Sequence, residues 1–497
     1  MPAAENGAIY RGNALIGDVA LAITVLYITN MPVRIIFLLI FHCTLLSVAA
    51  QPPDIRRTPH VILISIDGFH PDMYLDSSWP APNLRQLMKQ GTYADHMRSV
   101  FPAYTYPAHT AMITGAMPAR SKICYNQPIG SHGEWNWFAR YIKVPTLWQA
   151  LHDHGLITAA VQWPASVGAP INYTIPEIWA TDHPDDRITE ARQYATPGLV
   201  DEVERNATGR LDSRNMNDNY FSLDENAGRM AAYIFKRYKP AFLALHFATV
   251  DGMEHQQGRD GDSVRLAVAA NDRAIGDMLE AVEQSGLKDS TTVIIVGDHG
   301  FSTIHTVFRP NMLIRDLPAK FIAAGGSAFL YLQPDSPGAI AAVTSERARY
   351  RLQLLDSVTD RLDRLPLEQR KLFRILGRKQ LDQLGADSTA ILALTATPGL
   401  VFSGAIAKAA TANNGPGTLI QQNPLDGLFV PIHGGHHGYD PNIPDMYTGF
   451  IAAGTGIRHG AKISELCVTD IAPLVARLLG IDFSCPDGEL VPGILKE

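Results

Sequence analysis

Three apolar runs that each lead into an acidic residue constrain this chain more than any other feature: 60–66 into Asp67, 242–250 into Asp251, and 292–296 into Gly297 and Asp298. Val, Ile, Leu and Phe follow one another there almost without polar alternation, as strands require when both faces of a sheet are covered. Between them lie segments with helical character that stop at a glycine: 83–89 before Gly91, 145–154 before Gly155, and 262–285 before Gly286. The alternation predicts an α/β fold with a central, mostly parallel sheet and helices on both faces. Acidic groups at the carboxyl ends of such strands converge on one edge of the sheet, where the active site is expected.

From about Gly326 the character changes. Charged helical residues fill 347–370, and a stretch rich in Gly, Asn and Pro follows around 412–427. This reads as an inserted cap over 326–431, dividing a catalytic domain into 51–325 and 432–497. The core pattern resumes with an expected strand at 446–453 and helix at 469–479. With 46% hydrophobic and 18% charged residues the chain has the make-up of a globular protein. Its net charge of −7 argues against a surface that coats nucleic acid, so no stable nucleic-acid complex is expected. An anionic substrate has to be met locally.

Residues 1–50 read as an export segment. The apolar run 35–50 follows Arg34 and ends in Ser47-Val48-Ala49-Ala50, small residues that suit a signal peptidase. Met31 stands just ahead of this pattern and is the expected true start. The chain is therefore expected to be exported, to the periplasm or the extracellular space. Membrane contact is expected only if this segment, with the apolar run 16–28, stays uncleaved as an anchor. An oxidising destination favours a disulfide. Cys467 and Cys485 share the C-terminal part of the core and are the expected pair, with Cys124 left free.

The chemical case rests on Asp67, on Asp251 with His255 four residues on, on the adjacent Asp298 and His299, and on His437 within Gly434-Gly435-His436-His437-Gly438-Tyr439-Asp440. Carboxylates mixed with neutral imidazoles suit zinc, and their number suits a pair of ions. A lone Asp-x-x-x-His or Asp-His is usually a coincidence, but their joint placement after strand-like runs is not. Between the first two acidic positions lies Thr105-Tyr106-Pro107-Ala108-His109. Here the chain resembles the nucleotide pyrophosphatase/phosphodiesterase family, whose nucleophile motif is threonine, an aromatic residue, proline, any residue and histidine. Ala108 stands where better-known members have asparagine. The resemblance extends, in the family's order, to Asp67-Gly68-Phe69, Asp251 with His255, Asp298-His299-Gly300 and His437-Gly438-Tyr439-Asp440, and so covers about 60–480 outside the cap.

The resemblance implies an alkaline-phosphatase-like fold and two zinc ions. One would be held by Asp251, His255 and His437, the other by Asp67, Asp298, His299 and the Thr105 oxygen. A threonine hydroxyl is too weak an acid to attack unaided at neutral pH, so a dication is needed beside it. The implied activity is a zinc-dependent phosphodiesterase or nucleotide pyrophosphatase that acts on a small phosphodiester or nucleotide through a phosphothreonine intermediate. Asn126 matches the family's phosphate-binding asparagine, a neutral donor that suits a singly charged diester. Arg120 and Lys122 lie close to it in sequence.

Two other enzyme readings share this plan: a phosphomonoesterase, and a carbon–phosphorus hydrolase resembling phosphonoacetate hydrolase. A non-enzyme reading, a zinc-holding binding protein, is disfavoured because it would have no need of the threonine. Trp135, Trp137, Phe138, Tyr141 and Trp163 could stack on a base, although core packing is the commoner fate of such residues. His109 and His246 read as structural, His305 as a possible substrate contact, and His436 as a weaker ligand than His437.

Overall fold

The computed structural model describes residues 58–333, 345–406 and 427–497. Its main sheet has eight strands: β1 (His60–Ile66), β2 (Thr92–Arg98), β3 (Thr158–Val161), β4 (Tyr173–Ile175), β5 (Phe242–Phe247), β6 (Thr291–Gly297), β7 (Phe450–Gly454) and β8 (Ala461–Cys467). They lie in the order β8-β2-β7-β6-β1-β5-β3-β4. Every pairing is parallel except those of β7, which runs against both β2 and β6.

Strand β1 shows why the sequence is apolar without alternation. Val61 and Leu63 join the core on the face that carries the helices Thr105–Thr114 and Ile471–Leu479. Ile62, Ile64 and Ile66 join the opposite core, under the helices Pro82–Gln90, Ser222–Tyr238 and Asp262–Gln284. Each such side chain, fully buried, stabilises the fold by roughly 1.5–3 kcal/mol. The register then fixes the site. Ile66 is paired with Gly297 on one side and Phe247 on the other, so Asp67 and Asp298 leave adjacent strands at one level.

Two expected strands end differently. The run 242–250 is a strand only to Phe247, and the helix Thr249–Gln257 begins at once, which puts Asp251 in the first turn of a helix. The cause is Asp224, buried on the Ser222–Tyr238 helix. It accepts the Ala248 and Thr249 N–H groups at 2.9 and 3.0 Å and so caps the new helix. The run 446–453 likewise splits, into a 3₁₀ turn at Pro444–Met446 and the antiparallel β7.

A second sheet of four strands has the order Phe373–Gly377, Leu392–Ala396, Ser327–Leu332, Ala319–Ala324. Its last two form a hairpin that turns at Gly325-Gly326, so the boundary drawn before residue 326 falls inside the hairpin. Phe308, Phe321, Leu330, Phe373 and Leu394 build its core, and Tyr439 packs into it. Contact at the turn is close. The Gly326 N–H donates to the His437 carbonyl at 2.9 Å, and a Cβ on Gly326 would lie 2.1 Å from the Tyr439 ring.

The expected Cys467–Cys485 disulfide does not form, and all three described cysteines are free. Cys467 caps the turn Val468–Asp470, its N–H donating to Asp470 Oδ2 at 2.8 Å. Cys485 instead packs against Gly115, where an added Cβ would fall 2.8 Å from its sulfur. The export segment lies outside the described residues, and among those described no helix is long and apolar enough to cross a membrane.

Candidate active site

Strands β1 and β6 deliver Asp67, Asp298 and His299 to one buried point, with Asp67 4% exposed and the other two fully buried. His299 Nε2 lies 3.1 Å from Asp298 Oδ2 and 3.3 Å from Asp67 Oδ1. Asp298 Oδ1 is committed elsewhere, accepting the Gly68 and His299 N–H groups at 3.1 and 2.9 Å. Gly68 makes its contact with φ near +76°, a backbone setting that favours glycine. Asp67 Oδ1 and Asp298 Oδ2 are left buried with no hydrogen-bond partner.

Thr105 opens the helix Thr105–Thr114, every residue of which is buried. Its hydroxyl is 3.5 Å from His299 Nε2. The Tyr106 N–H, free of an intrahelical partner at this end, donates to Asn126 Oδ1 at 3.0 Å. Asn126 is thereby fixed beside the threonine.

The second group is more open. Asp251 and His255 stand one turn apart on the helix Thr249–Gln257, with His255 Nε2 3.5 Å from Asp251 Oδ2. His437 Nε2 is 3.7 Å from Asp251 Oδ1, and its ring stacks on His299 with centroids 3.8 Å apart. His437 Nδ1–H donates to the Ala103 carbonyl at 2.8 Å and His255 Nδ1–H to Gly435 at 3.1 Å. A carbonyl can only accept, so each Nε2 keeps its lone pair for a ligand.

The electrostatics have one sign. Burial first, then the charges of Asp298 and Asp251, pushes the Asp67 carboxyl well above its usual range. Burial likewise raises Asp251 and takes Asp298 up to about 7. The same burial holds His299 and His437 far below their ordinary value and brings His436 down to about 3. Neutral imidazoles and crowded carboxylates are the donor set of a dication. Among the described residues every ion-pair partner within 4 Å of these three carboxylates is a histidine. The orphaned oxygens of Asp67, Asp251 and Asp298 therefore fit a bound metal.

Among the described residues three overlapping sets could hold one: Asp67, Asp298 and His299; Asp251, His299 and His437; and His255, His436 and His437. The first contains the two carboxylates and the imidazole of one expected set, whose fourth ligand is the Thr105 oxygen. The expected set of Asp251, His255 and His437 is spread over the other two, and His436 enters beside His255. His305 does not join them. It is exposed, with its ring on Thr306 Oγ1 and Gly399. His109 and Trp163 lie beneath the site, their rings 5.0 Å apart and both fully buried. Of the aromatic cluster, half-buried Trp135 packs on Tyr106, whereas Trp137 is core. Sequence reasoning passed over Trp179, which contacts both Trp135 and Trp137, and over Glu177, which accepts the Tyr106 hydroxyl at 3.2 Å.

Comparison with known proteins agrees with this geometry. The family model for type I phosphodiesterase / nucleotide pyrophosphatase matches residues 61–440. A bis(5'-adenosyl)-triphosphatase of Mus musculus is 24% identical over 85% of this chain and 78% of its own length. The ectonucleotide pyrophosphatase/phosphodiesterase family member 7 of Homo sapiens is 22% identical over 86% of this chain and 82% of its own length. Among solved structures, human ectonucleotide pyrophosphatase / phosphodiesterase 5 superposes with a TM-score of 0.61 at 18% identity, covering 86% of this chain and 97% of that one. An inactive form of the murine counterpart, with a threonine replaced by alanine and AMP bound, gives 0.59 at 16% identity over 86% of this chain and 96% of that one. The fold is thus the alkaline-phosphatase-like α/β fold, and the chain belongs to the type I phosphodiesterase / nucleotide pyrophosphatase family, hydrolases of phosphoester and phosphoanhydride bonds.

Proposed function

We propose that the chain hydrolyses small phosphodiesters or nucleotides by attack of Thr105 on phosphorus, in a site that holds two zinc ions. The observation that carries this is the Thr105 hydroxyl at a helix N-terminus, 3.5 Å from His299 and beside carboxylate oxygens that have no hydrogen-bond partner among the described residues. Asp67, Asp298 and His299 would hold one ion next to the threonine, and Asp251, His255 and His437 the other. When bound, paired dications favour the deprotonated nucleophile and offset charge on the leaving oxygen.

The residues of the chain do the rest. Thr105 sits where free backbone N–H groups and the positive end of the helix favour a phosphoryl anion. Its Oγ–phosphorus bond forms as the bond to the leaving oxygen breaks, and water then cleaves the phosphothreonine. Asn126, with Oδ1 taken by the Tyr106 N–H, offers Nδ2 as a neutral donor to a non-bridging oxygen. Arg120 and Lys122, the nearby cations that would suit a monoester dianion, are exposed and engaged with Asp487 and Ser388. This supports a diester preference. The ecto prefix of the human relative supports a place outside the cytoplasm.

The test is a side-by-side assay of bis-p-nitrophenyl phosphate and p-nitrophenyl phosphate on zinc-loaded protein. We expect kcat/KM to favour the diester roughly tenfold to a hundredfold, the worth of one missing charge-assisted contact to the dianion. A clear monoester preference would overturn the substrate assignment.

A further inference from the structure

Behind Asp67 lies a run of buried polar groups that the proposed reaction leaves unused. His246 on β5 is paired in register with Ser65 of β1, so the two side chains share a sheet face. His246 Nε2 lies 3.2 Å from Asp67 Oδ2. Its Nδ1 faces the Gln162 carbonyl at 3.1 Å and Glu177 Oε2 at 3.2 Å. The other oxygen of Glu177 accepts the Tyr106 hydroxyl at 3.2 Å. Arg187 backs the arrangement, with one guanidinium nitrogen 3.8 Å from Glu177, another 2.5 Å from Asp218, and its plane 3.7 Å over Trp179. His246, Glu177 and Tyr106 are 2%, 6% and 0% exposed.

A carboxylate–imidazole–carboxylate chain at this depth costs more than apolar packing of the same volume, so its value has to lie in what it orients. Two consequences follow from the geometry. Both ring nitrogens of His246 face acceptors, so each carries a hydrogen; donation from Nε2–H occupies Asp67 Oδ2 and leaves Oδ1 as the oxygen that meets His299, 3.3 Å away. Glu177 also accepts from Tyr106, the residue after the threonine, so one carboxylate lies against both the ring behind Asp67 and the first turn of the Thr105 helix.

We propose that Glu177 and His246 are positioning residues, which set the orientation of Asp67 toward the metal and tie the Thr105 turn to it. The proposal rests on the metal-dependent reading above.

The experiment measures zinc affinity of metal-stripped protein by competition with a chromophoric chelator, and separately kcat and KM for a diester. Glu177→Gln is nearly isosteric and should stay folded. Partners that orient a metal ligand typically carry ten- to hundredfold in affinity or activity, and we expect a loss of that order in zinc affinity and in kcat, with KM little changed. His246→Leu should lose as much or more, and His246→Gln, which can still donate to Asp67, should recover part of it. Tyr106→Phe should lower kcat while leaving zinc affinity as in the parent, because it cuts only the arm to the nucleophile. If His246→Leu does not fold, Glu177→Gln carries the test. Folded Glu177→Gln protein with parental zinc affinity and kcat would overturn the proposal. A parent that binds no zinc would instead overturn the metal-dependent reading.

Discussion

The two halves of the site are built by different means. Asp67, Asp298 and His299 hang from adjacent parallel strands and are almost wholly buried, with backbone donors fixing one oxygen of Asp298. Asp251 and His255 come from the first and last turns of one short helix and His437 from a late loop, and the side chains of Asp251 and His255 are 18% and 36% exposed. The inner half is held by register and leaves no room for adjustment. The outer half is held by a cap, two carbonyl contacts and the hairpin turn at Gly325-Gly326, and it has a spare imidazole in His436. Rigid placement suits the side proposed to align Thr105, and a looser side suits the proposed contact with a leaving group that varies with substrate.

The sharpest test of that division is the threonine. Thr105→Ala should lower kcat by roughly a thousandfold or more, as loss of a covalent nucleophile does elsewhere, while metal content stays at the parent level because no Asp or His is touched. Thr105→Ser should keep measurable activity. Turnover of Thr105→Ala at the parent rate would remove the inner half from the chemistry.

Next come the ligands themselves. Asp298→Asn should abolish retention of the inner metal and cut kcat/KM by roughly a hundredfold or more, whereas His255→Ala should cost about tenfold, because His436 stands ready to replace the lost nitrogen. Elemental analysis of the two variants, with kinetics on one diester, decides it. Equal losses would mean that the outer half is as inflexible as the inner.

Acidity separates the halves more gently. Burial takes Asp298 from 3.8 up to about 7 in the chain without metal, against the hydrogen bond to Asp67 and the charge of His246, and Asp67 is pushed the same way. At the Asp298 carboxyl the folded state then holds a proton that the unfolded state has released, so its contribution to the stability of metal-free protein is lost as pH rises through that window. Because the buried, neutral His299 and His437 act in the opposite sense, the readout is a comparison of variants: between about pH 5 and about pH 8 the urea midpoint of stripped Asp298→Asn protein should rise relative to the stripped parent. Zinc should reverse it by supplying the missing positive charge. A midpoint difference between the two stripped proteins that does not change with pH would show that this carboxyl is compensated in some other way.

Much of the inner half was legible in the sequence and less of the outer half was. Continuous apolar runs announce covered parallel strands, and the residue that follows such a strand must emerge at the sheet edge, so Asp67 and Asp298 could be placed together from pattern alone. Asp251 looked equivalent but is helical, because the cap from Asp224 acts across about two dozen residues and has no local signature. His246 and Ser65 were visible as polar interruptions in apolar strands, yet only the register shows that they face each other. Glu177 lies in a segment without periodicity, and nothing nearby marks it. The Cys467–Cys485 expectation failed because shared position in the chain does not bring two thiols within bonding distance.

The smallest expected effect probes how the second sheet supports the outer half. Gly326 donates to the His437 carbonyl, and its Cα faces the Tyr439 ring so closely that a Cβ would stand 2.1 Å from it. Tyr439 is fully buried and cannot swing out into solvent, so Gly326→Ala has to displace the hairpin or the His437–Tyr439 segment. Overpacking of this kind costs about 1–3 kcal/mol. The strain falls on His437 and not on β1 or β6, so Gly326→Ala should lower the melting temperature by a few degrees and weaken the outer metal while the inner metal is retained. Metal titration should then show one site at parental affinity and one reduced by less than about tenfold, a shift worth under about 1.4 kcal/mol. Equal weakening of both sites would mean that the two halves are one rigid unit. No change at either would mean that Ala103, which holds His437 Nδ1 from the loop leading into Thr105, suffices without the second sheet.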